Sequence, residues 1–233
     1  MGVQGPQGTR LDPRLEVPQW LLIAAMWLLA ALEWPSAPER IPIHWNAEGQ
    51  VNGYGGKVEG LLLLPAMTLG IYLLLLFLPR IDPGRANYAQ FWGAYGVIRL
   101  AVVALMAGIY AVTVLWVRGT HLDISSIVPI AVGVLFVVLG SLMGKLRPNW
   151  FAGIRTPWTL SSTRSWINTH RLGGWVFLAL GLLLIVTGFL HGAWFFAVFM
   201  GALAASVVLL VAYSYVEWRH DPNKMPPGGT LPG

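Results

Sequence analysis

The sequence contains no cysteine, and charged residues make up only 11% of its 233 positions. Without cysteine, the protein has no disulfide, no thiol nucleophile and no thiolate-ligated metal site. Hydrophobic residues account for 56% of the chain, so too little polar surface remains to keep a globule of this size in water. The composition therefore indicates a protein whose surroundings are the lipid bilayer.

Common catalytic motifs are also missing. The sequence has no HExxH or GxSxG pattern, and no two carboxylates lie within one apolar run. These patterns supply the metal-bound water, the nucleophile or the acid–base pair of many hydrolases. An internal repeat, which many transporters carry, is not detectable either. We therefore predict a protein that is not an enzyme and that uses no cofactor.

Apolar runs of membrane-spanning length dominate the sequence. A helix needs about 20 apolar residues to cross a hydrocarbon core about 30 Å thick, and six runs approach or exceed that length. The runs are continuous rather than alternating, and lipid cannot satisfy the open edge of a sheet, so helices are expected. The predicted fold is all-α: a polytopic membrane protein with six transmembrane helices in one domain, residues 17–217. The six runs are residues 17–34, 61–78, 92–117, 127–143, 173–190 and 194–216.

The distribution of lysine and arginine predicts the orientation of these helices. Cytoplasmic loops carry an excess of basic residues, and here such residues concentrate in alternate gaps. Both termini and residues 144–172 are therefore predicted to be cytoplasmic, and residues 35–60 extracytoplasmic. The net charge of +5 is then explained by cytoplasmic segments that flank the helices and lie near anionic lipid. We therefore predict no direct binding to nucleic acid. The basic residues on the cytoplasmic side are Arg10, Arg14, Arg80, Arg85, Lys145, Arg147, Arg155, Arg164, Arg171, Arg219 and Lys224.

Two polar tails flank the membrane domain. Residues 1–16 and 218–233 are rich in proline, glycine and charge, and both are predicted to be disordered.

The extracytoplasmic loop, residues 35–60, differs in composition from the two tails. Its asparagines and glycines favour turns, and its interspersed apolar side chains are able to fold it into a compact cap on the membrane surface. The polar groups that such a cap presents to a ligand are His44, Asn46, Glu48 and Asn52.

The cytoplasmic loop, residues 144–172 and here called the Trp/Arg loop, interleaves tryptophan with arginine. Tryptophan recurs at spacings of eight, eight and nine residues, at Trp150, Trp158 and Trp166 within the loop and at Trp175 just after it. Indole and guanidinium groups favour the headgroup layer of a membrane. The loop is therefore expected to be a structured element that lies on the membrane surface.

Two roles are open for the residues of the Trp/Arg loop. Thr156 before Pro157 predicts a helix N-cap, and His170 lies where the loop enters the fifth crossing. Capping and headgroup contact would explain these residues structurally. Because interfaces favour tryptophan and arginine, a docking surface for a cytoplasmic partner is the functional alternative. The candidate partner-binding residues are Asn149, Arg155, Thr156, Trp158, Trp166, His170 and Arg171.

Arg99 is a formal charge well inside an apolar run. A lone cation there costs about 2.5 to 3.5 kcal/mol on insertion scales, so a compensating contact is expected. One interpretation is that Arg99 snorkels toward the interface, with backbone carbonyls or Glu217 as partner and Tyr95 within hydrogen-bonding reach one turn away. The alternative is a functional polar site inside the bundle, as in a small transporter or a flippase-like protein.

Three histidines are predicted to share the outer side: His44, His121 and His191. With a nearby carboxylate, three imidazoles would suit zinc or copper. No two of them have the i, i+4 spacing of a helical metal site, and each comes from a different loop, so solvated loop histidines are favoured. An outer-face metalloprotein remains an alternative function.

Two stretches of the sequence resemble a known family. Residues 41–57 read IPIHWNAEGQVNGYGGK, which is similar to a small domain of unknown function that precedes SdpI-type domains. Residues 149–171 read NWFAGIRTPWTLSSTRSWINTHR, which resembles the hallmark loop of the SdpI family. The order of the two motifs and the layout of six crossings are similar as well.

The resemblance implies a function. Members of this family are integral proteins of the bacterial cell (inner) membrane. The namesake confers immunity to a secreted killing peptide and, when occupied by it, holds a transcriptional repressor at the membrane. The resemblance therefore implies an immunity or sensor protein, with an amphipathic peptide as partner outside and a cytoplasmic repressor as partner inside. It supplies no catalytic residues.

Overall fold

The computed structural model describes residues 11–46, 48–190 and 193–227. Within these ranges, six helices are long and apolar enough to cross a membrane, so the predicted all-α, six-helix fold is confirmed. A seventh, four-residue helix lies in the Trp/Arg loop. The helices are α1 (Pro13–Glu33), α2 (Leu63–Ile81), α3 (Trp92–Val117), α4 (Ile124–Met143), α5 (Pro157–Leu160), α6 (Thr163–Leu190) and α7 (Ala193–Arg219).

The first helix begins earlier than the predicted start at residue 17. The Asp12 carboxylate accepts a hydrogen bond from the backbone N–H of Arg14 at 2.9 Å, and Pro13 occupies the first helical position. Both features favour a helix start, because the cap satisfies a free N–H and proline has no N–H to lose. Residues 13–16 therefore belong to α1 rather than to a disordered tail. The first ten residues lie outside the described ranges.

The chain after the last crossing also differs from the predicted disordered tail. Helix α7 runs to Arg219, and the backbone N–H of Met225 donates to the carbonyl of Ser161 at 2.9 Å. Residues 220–227 are thus hydrogen-bonded to the Trp/Arg loop, whereas residues 228–233 lie outside the described ranges.

Helices α4 and α6 pack closely through glycines. A Cβ atom on Gly133 would lie 2.7 Å from the carbonyl oxygen of Gly181, and one on Gly140 would lie 2.8 Å from that of Gly174. In lipid, helices gain little from hiding apolar surface, so close backbone contact drives their association. Gly133 and Gly140 are seven residues apart and share one face of α4, and the two helices are in contact along most of their length.

The first three crossings form a second packed group. Helix α1 lies against α3, and Met26 and Ala30 of α1 join Tyr110 and Val114 of α3 in a buried cluster. Ile41, from the loop after α1, belongs to the same cluster. Between α3 and α4 the packing is looser, and a cavity of about 360 Å³ remains. Its walls are apolar: Ala101, Ala104, Leu105, Gly108, Ala131, Val134, Leu135 and Val138.

The loop of residues 35–60 contains a β-hairpin. Strands β1 (Ile41–Trp45) and β2 (Val51–Gly55) pair antiparallel, with Ile41 opposite Gly55 and His44 opposite Gly53. The hairpin leads into a π-helical turn (Val58–Leu62) that continues as α2. We call this end of the bundle the hairpin end. The opposite end, which carries the Trp/Arg loop and a 3₁₀ helix (Arg85–Gln90), is called the loop end.

Glycine lets the hairpin sit directly on the start of α2. A Cβ atom on Gly60 would lie 2.6 Å from the side chain of Ile41, and one on Gly55 would lie 2.7 Å from the Cβ of Glu59. A larger residue at either position would displace the hairpin, because its Cβ atom would lie closer to the neighbouring side chain than van der Waals contact allows. The cap predicted for residues 35–60 is therefore a packed element of the fold.

Candidate functional site

The hairpin carries the four polar residues predicted for the loop of residues 35–60 and brings two of them into contact. His44 Nδ1 lies 2.6 Å from Asn52 Oδ1 across the two strands. Asn46 Oδ1 accepts a hydrogen bond from the backbone N–H of Gln50 at 2.8 Å and so closes the turn. Glu48 lies at the tip of this turn and is exposed. His44, Glu48 and Asn52 are therefore accessible, whereas Asn46 holds the turn.

The hairpin end also carries a row of rings beside these polar groups. Arg40 lies over the ring of Tyr54 at 4.8 Å, and Tyr54 meets Trp116 edge to face at 6.5 Å. Trp116 in turn contacts the ring of His121 at 5.4 Å. Since Trp116 belongs to α3, these contacts connect the hairpin to the third crossing, and they leave the ring of Tyr54 45% exposed.

A metal site is not assembled among the described residues. Within that part of the chain, no group of three or more His, Cys, Asp or Glu side chains is placed to hold a metal ion. His44 bonds to Asn52, and the ring of His121 packs against that of Trp116 at a tilt. His191, the third predicted ligand, lies outside the described ranges.

Arg99 forms an ion pair with Glu16, and neither backbone carbonyls nor Glu217, the two partners suggested for a snorkelling side chain, is its partner. Its Nη1 donates to Glu16 Oε2 at 3.3 Å, and its Nη2 donates to Glu16 Oε1. Tyr72 Oη donates to the same carboxylate at 2.8 Å. Glu217 instead accepts from Arg164 at the loop end. The sequence did not suggest Glu16 as the partner, because residues 1–16 were predicted to form a disordered tail and not part of a helix.

Aromatic rings enclose the guanidinium of Arg99. The rings of Tyr72, Trp92 and Tyr95 each lie within 5.9 Å of its central carbon. The hydroxyl of Tyr95, which was expected to reach Arg99, donates to the carbonyl of Leu75 at 2.6 Å. Arg99 is 1% exposed. Its charge is therefore paired with a carboxylate and buried, and the ion pair connects α1 to α3.

Asn149 organises the start of the Trp/Arg loop. Its Oδ1 accepts from the backbone N–H groups of Phe151 and Ala152 at 2.9 and 2.6 Å. Its Nδ2 donates to the carbonyls of Arg147 and Ala152 at 2.8 and 3.0 Å. Asn149 is buried, with 1% exposure. The side chain thus replaces the hydrogen bonds that regular structure would give this backbone.

Asp82, which the sequence reasoning missed, fixes the same loop from the end of α2. It accepts from the backbone N–H of Trp150 at 3.0 Å, from that of Gly84 at 2.6 Å and from Tyr88 Oη at 2.8 Å. Burial and the hydrogen bond to Asp82 raise the pKa of Tyr88 far above its usual range, so its hydroxyl stays a donor. The Asp-Pro-Gly sequence that begins at Asp82 is a turn signal, but it does not identify the distant loop as a partner.

His170 holds the middle of the loop against α6. Its Nε2 accepts from the backbone N–H of Ile154 at 3.0 Å, so Nδ1 carries the proton and donates to the carbonyl of Trp166 at 2.8 Å. Its ring stacks on that of Trp166 at 4.1 Å. Gly153, at φ +104°, passes so close that a Cβ atom there would lie 2.3 Å from His170 Nε2. The site requires glycine for both reasons.

Thr156 is the helix N-cap that the sequence predicts. Its Oγ1 accepts from the backbone N–H of Thr159 at 3.1 Å, and Thr159 Oγ1 accepts from the N–H of Thr156 at 2.9 Å. The two residues form a capping box at the start of α5. Thr156 Oγ1 also lies 3.0 Å from Ser214 Oγ of α7. Trp166 is fully buried, and its Nε1 donates to the carbonyl of Leu146 at 3.0 Å.

The seven predicted residues of the loop therefore divide into two groups. Asn149, Thr156, Trp166 and His170 are buried and bonded within the protein. Arg155 and Arg171 are exposed, and Trp158 is partly exposed with its ring edge against Tyr215 at 5.3 Å. Only the second group is reachable by a partner, and it is accordingly called the accessible group.

Comparisons with known proteins find similarity in two regions of the chain. Residues 145–215 match the SdpI/YfhL protein family, and residues 21–69 match a Domain of unknown function (DUF1648). The Immunity protein SdpI of Bacillus subtilis (strain 168) is 23% identical over 199 residues, which cover 85% of this chain and 93% of that protein. No solved structure matches the chain. The predicted resemblance to the SdpI family is confirmed, and the two matched regions contain the Trp/Arg loop and the hairpin.

Proposed function

From the SdpI/YfhL region that residues 145–215 carry, we propose that the chain is an immunity protein of the bacterial cell membrane, which protects its host from a secreted killing peptide. The observation that carries this proposal is the likeness to an immunity protein over most of both chains. The six apolar helices agree with it, because a protein that meets such a peptide at the membrane must reside there.

The hairpin is the proposed contact for the peptide. His44 and Asn52 hold each other in place, so they lose little conformational freedom when a ligand binds. Ile43 and Tyr54 are each 45% exposed beside them. A surface that combines fixed polar groups with apolar side chains is complementary to an amphipathic peptide at the membrane surface.

The accessible group of the loop is the proposed contact for a cytoplasmic repressor. Arg155 is held by a hydrogen bond from its Nη1 to the carbonyl of Trp150 at 2.8 Å, and Trp158 rests on Tyr215. Exposed arginine and tryptophan on a rigid backbone are the residues that most often dominate protein interfaces. The buried group serves this surface indirectly by giving the loop one shape.

Protection is tested in cells that lack their own immunity protein and that are challenged with the peptide to which the Bacillus subtilis relative confers immunity. We expect the wild-type chain to protect and the double variant Glu48→Ala, Asn52→Ala to lose protection at unchanged membrane abundance. Glu39→Ala is the matched control, since its side chain lies at the same end and is 92% exposed. Full protection by the double variant would contradict the role of the hairpin.

Recruitment of the repressor to the membrane is tested with a fluorescently tagged repressor from the organism that encodes this chain. We expect Arg155→Ala combined with Arg171→Ala to release the repressor from the membrane while protection persists. Arg219→Ala, an exposed arginine at the end of α7, is the control for loss of charge alone. His170 is unsuitable for this test, because its replacement would disturb the loop itself. Equal release by the control variant would show that the contact is not specific to the loop.

A further inference from the structure

Residues 220–227, here called the C-terminal segment, fold back onto the junction of α5 and α6. Ser162 Oγ donates to Asp221 Oδ2 at 2.5 Å, and the backbone N–H of Met225 donates to the carbonyl of Ser161 at 2.9 Å. Ser161 and Ser162 are fully buried, and Asp221 is 6% exposed. None of these contacts takes part in the sites described above.

Asp221 is stabilised as a carboxylate in this buried position. Burial by itself raises the pKa of Asp221, but hydrogen bonds from Ser162 and from the backbone N–H of Asn223, together with the charge of Arg164, hold that pKa below its usual range. A buried carboxylate without such donors would be costly. The C-terminal segment is therefore bound through a charged group that has specific partners.

The position of this carboxylate matches the start of a long helix. Ser162 precedes α6 and accepts from the backbone N–H of Ser165 at 3.0 Å, as a helix N-cap does. Asp221 bonds to the same serine, so its charge lies at the N-terminal end of a 28-residue helix. Negative charge is stabilised there by the helix dipole.

The bond to Asp221 continues a row of polar contacts along α7. Ser214 and Glu217 are three residues apart on one face of α7, and Asp221 follows two residues after the helix ends. The carbonyl of Ser214 accepts from Ser165 Oγ at 2.7 Å. Glu217 accepts from Arg164 Nε at 2.9 Å. The row connects α7 to the loop that carries the accessible group.

We propose that the C-terminal segment is a latch that holds Arg155 and Trp158 in the arrangement that a cytoplasmic partner meets, with Asp221 as its positioning residue. The identity of that partner rests on the proposed function. The latch itself concerns the conformation of this chain and is measurable without any partner.

The absence of cysteine makes spin labelling at single sites direct. A label at Asn223→Cys reports on the segment, and a label at Arg155→Cys reports on the loop, in separate preparations of the full chain in lipid nanodiscs. We expect the immobile component of the spectrum to be lost at both sites in Asp221→Ala. Asp221→Asn, which keeps the oxygen acceptor but not the charge, should give an intermediate loss at residue 223.

His220→Ala is the matched control, because the ring of this exposed neighbour bonds to the carbonyl of Val216 in the last turn of α7 and not to the Trp/Arg loop. We expect it to leave both labels unchanged. Ser162→Ala removes the donor of the same hydrogen bond. It replaces Asp221→Ala in the experiment if that variant does not fold to a monodisperse protein.

Two results would overturn the latch. One is an unchanged label at residue 223 in both Asp221→Ala and Ser162→Ala. The other is a mobile segment with an unchanged label at residue 155, which would mean that the segment does not position the loop. Protection against the peptide is not read in these measurements, so failure of the latch and failure of the proposed function remain distinguishable.

Discussion

The two ends of the bundle use their polar residues in different ways. At the hairpin end, His44 and Asn52 bond to each other on an exposed surface. At the loop end, Asn149 and His170 are buried and satisfy the backbone of the loop. The motif of the loop that resembles the family is therefore largely a determinant of shape, whereas the hairpin keeps most of its polar groups accessible.

The ion pairs between the first and third crossings show the same difference. Near the loop end, the side chains of Glu16 and Arg99 are 9% and 2% exposed. At the hairpin end, Glu33 pairs with Arg118 just after α3, and the Arg118 side chain is 51% exposed. Removing Glu16 leaves a buried, uncompensated charge on Arg99, whereas removing Glu33, itself buried, leaves Arg118 in reach of water.

The largest effect is expected from Glu16→Ala. It leaves the Arg99 guanidinium buried without its carboxylate, so the free energy of unfolding should fall by about 3 to 5 kcal/mol. Reversible unfolding in mixed micelles measures this value. The double variant Glu16→Gln, Arg99→Leu is the control, and it should lose less than Glu16→Ala alone. If both variants were equally stable, charge would not be the reason for the loss.

The next effect is expected from His170→Ala. The backbone N–H of Ile154 loses its acceptor in a buried site, which costs about 1 to 3 kcal/mol of stability. Limited proteolysis should also detect faster cleavage within residues 147–156. Arg171→Ala, the exposed neighbour, should leave both the stability and the cleavage rate unchanged. A cleavage rate in His170→Ala equal to that of the wild type would contradict the structural role of the imidazole.

A smaller effect is expected from Glu33→Gln. Because Arg118 is half exposed, breaking this pair should cost no more than about 1 kcal/mol of unfolding free energy. The loss should shrink further at high salt, since ions screen exposed charges. If Glu33→Gln lost as much unfolding free energy as Glu16→Ala, the ion pairs at the two ends of the bundle would not differ in strength.

The smallest change in stability is expected from His44→Ala, within about 0.5 kcal/mol, because surface substitutions rarely exceed that. Protection against the peptide should nevertheless decrease. The same unfolding measurement, combined with the challenge assay, separates the two effects. If protection were unchanged and stability were lost, His44 would stabilise the fold and would not contact the peptide.

Local features of the sequence predicted much of the architecture. Thr156 before Pro157 predicted a helix cap, and the structure has it. The need of Arg99 for a partner followed from the cost of a lone charge in lipid. The partner itself did not, because Glu16 lies 83 residues away in the chain. Only the packing of α1 against α3 brings the two together.

The hairpin had a local signal that the helix-based interpretation did not use. Ile41, Ile43 and Trp45 alternate with other residues, as in a strand, and a turn sequence follows them. The contact between Asp82 and Trp150 had no comparable signal, since it joins residues 68 apart. The same holds for the C-terminal segment, whose proline-rich and polar composition resembles that of a disordered tail.

The sequence by itself determined that this chain resides in a membrane and how many times its apolar helices are able to cross it. The reason is that the transfer of each run into lipid depends on its own composition and length. Only the tertiary structure decided which polar side chains are available to partners and which hold the loop end together. A buried hydrogen bond or ion pair depends on a neighbour in space, and the partners of Arg99, Asp82 and Ser162 come from distant parts of the chain.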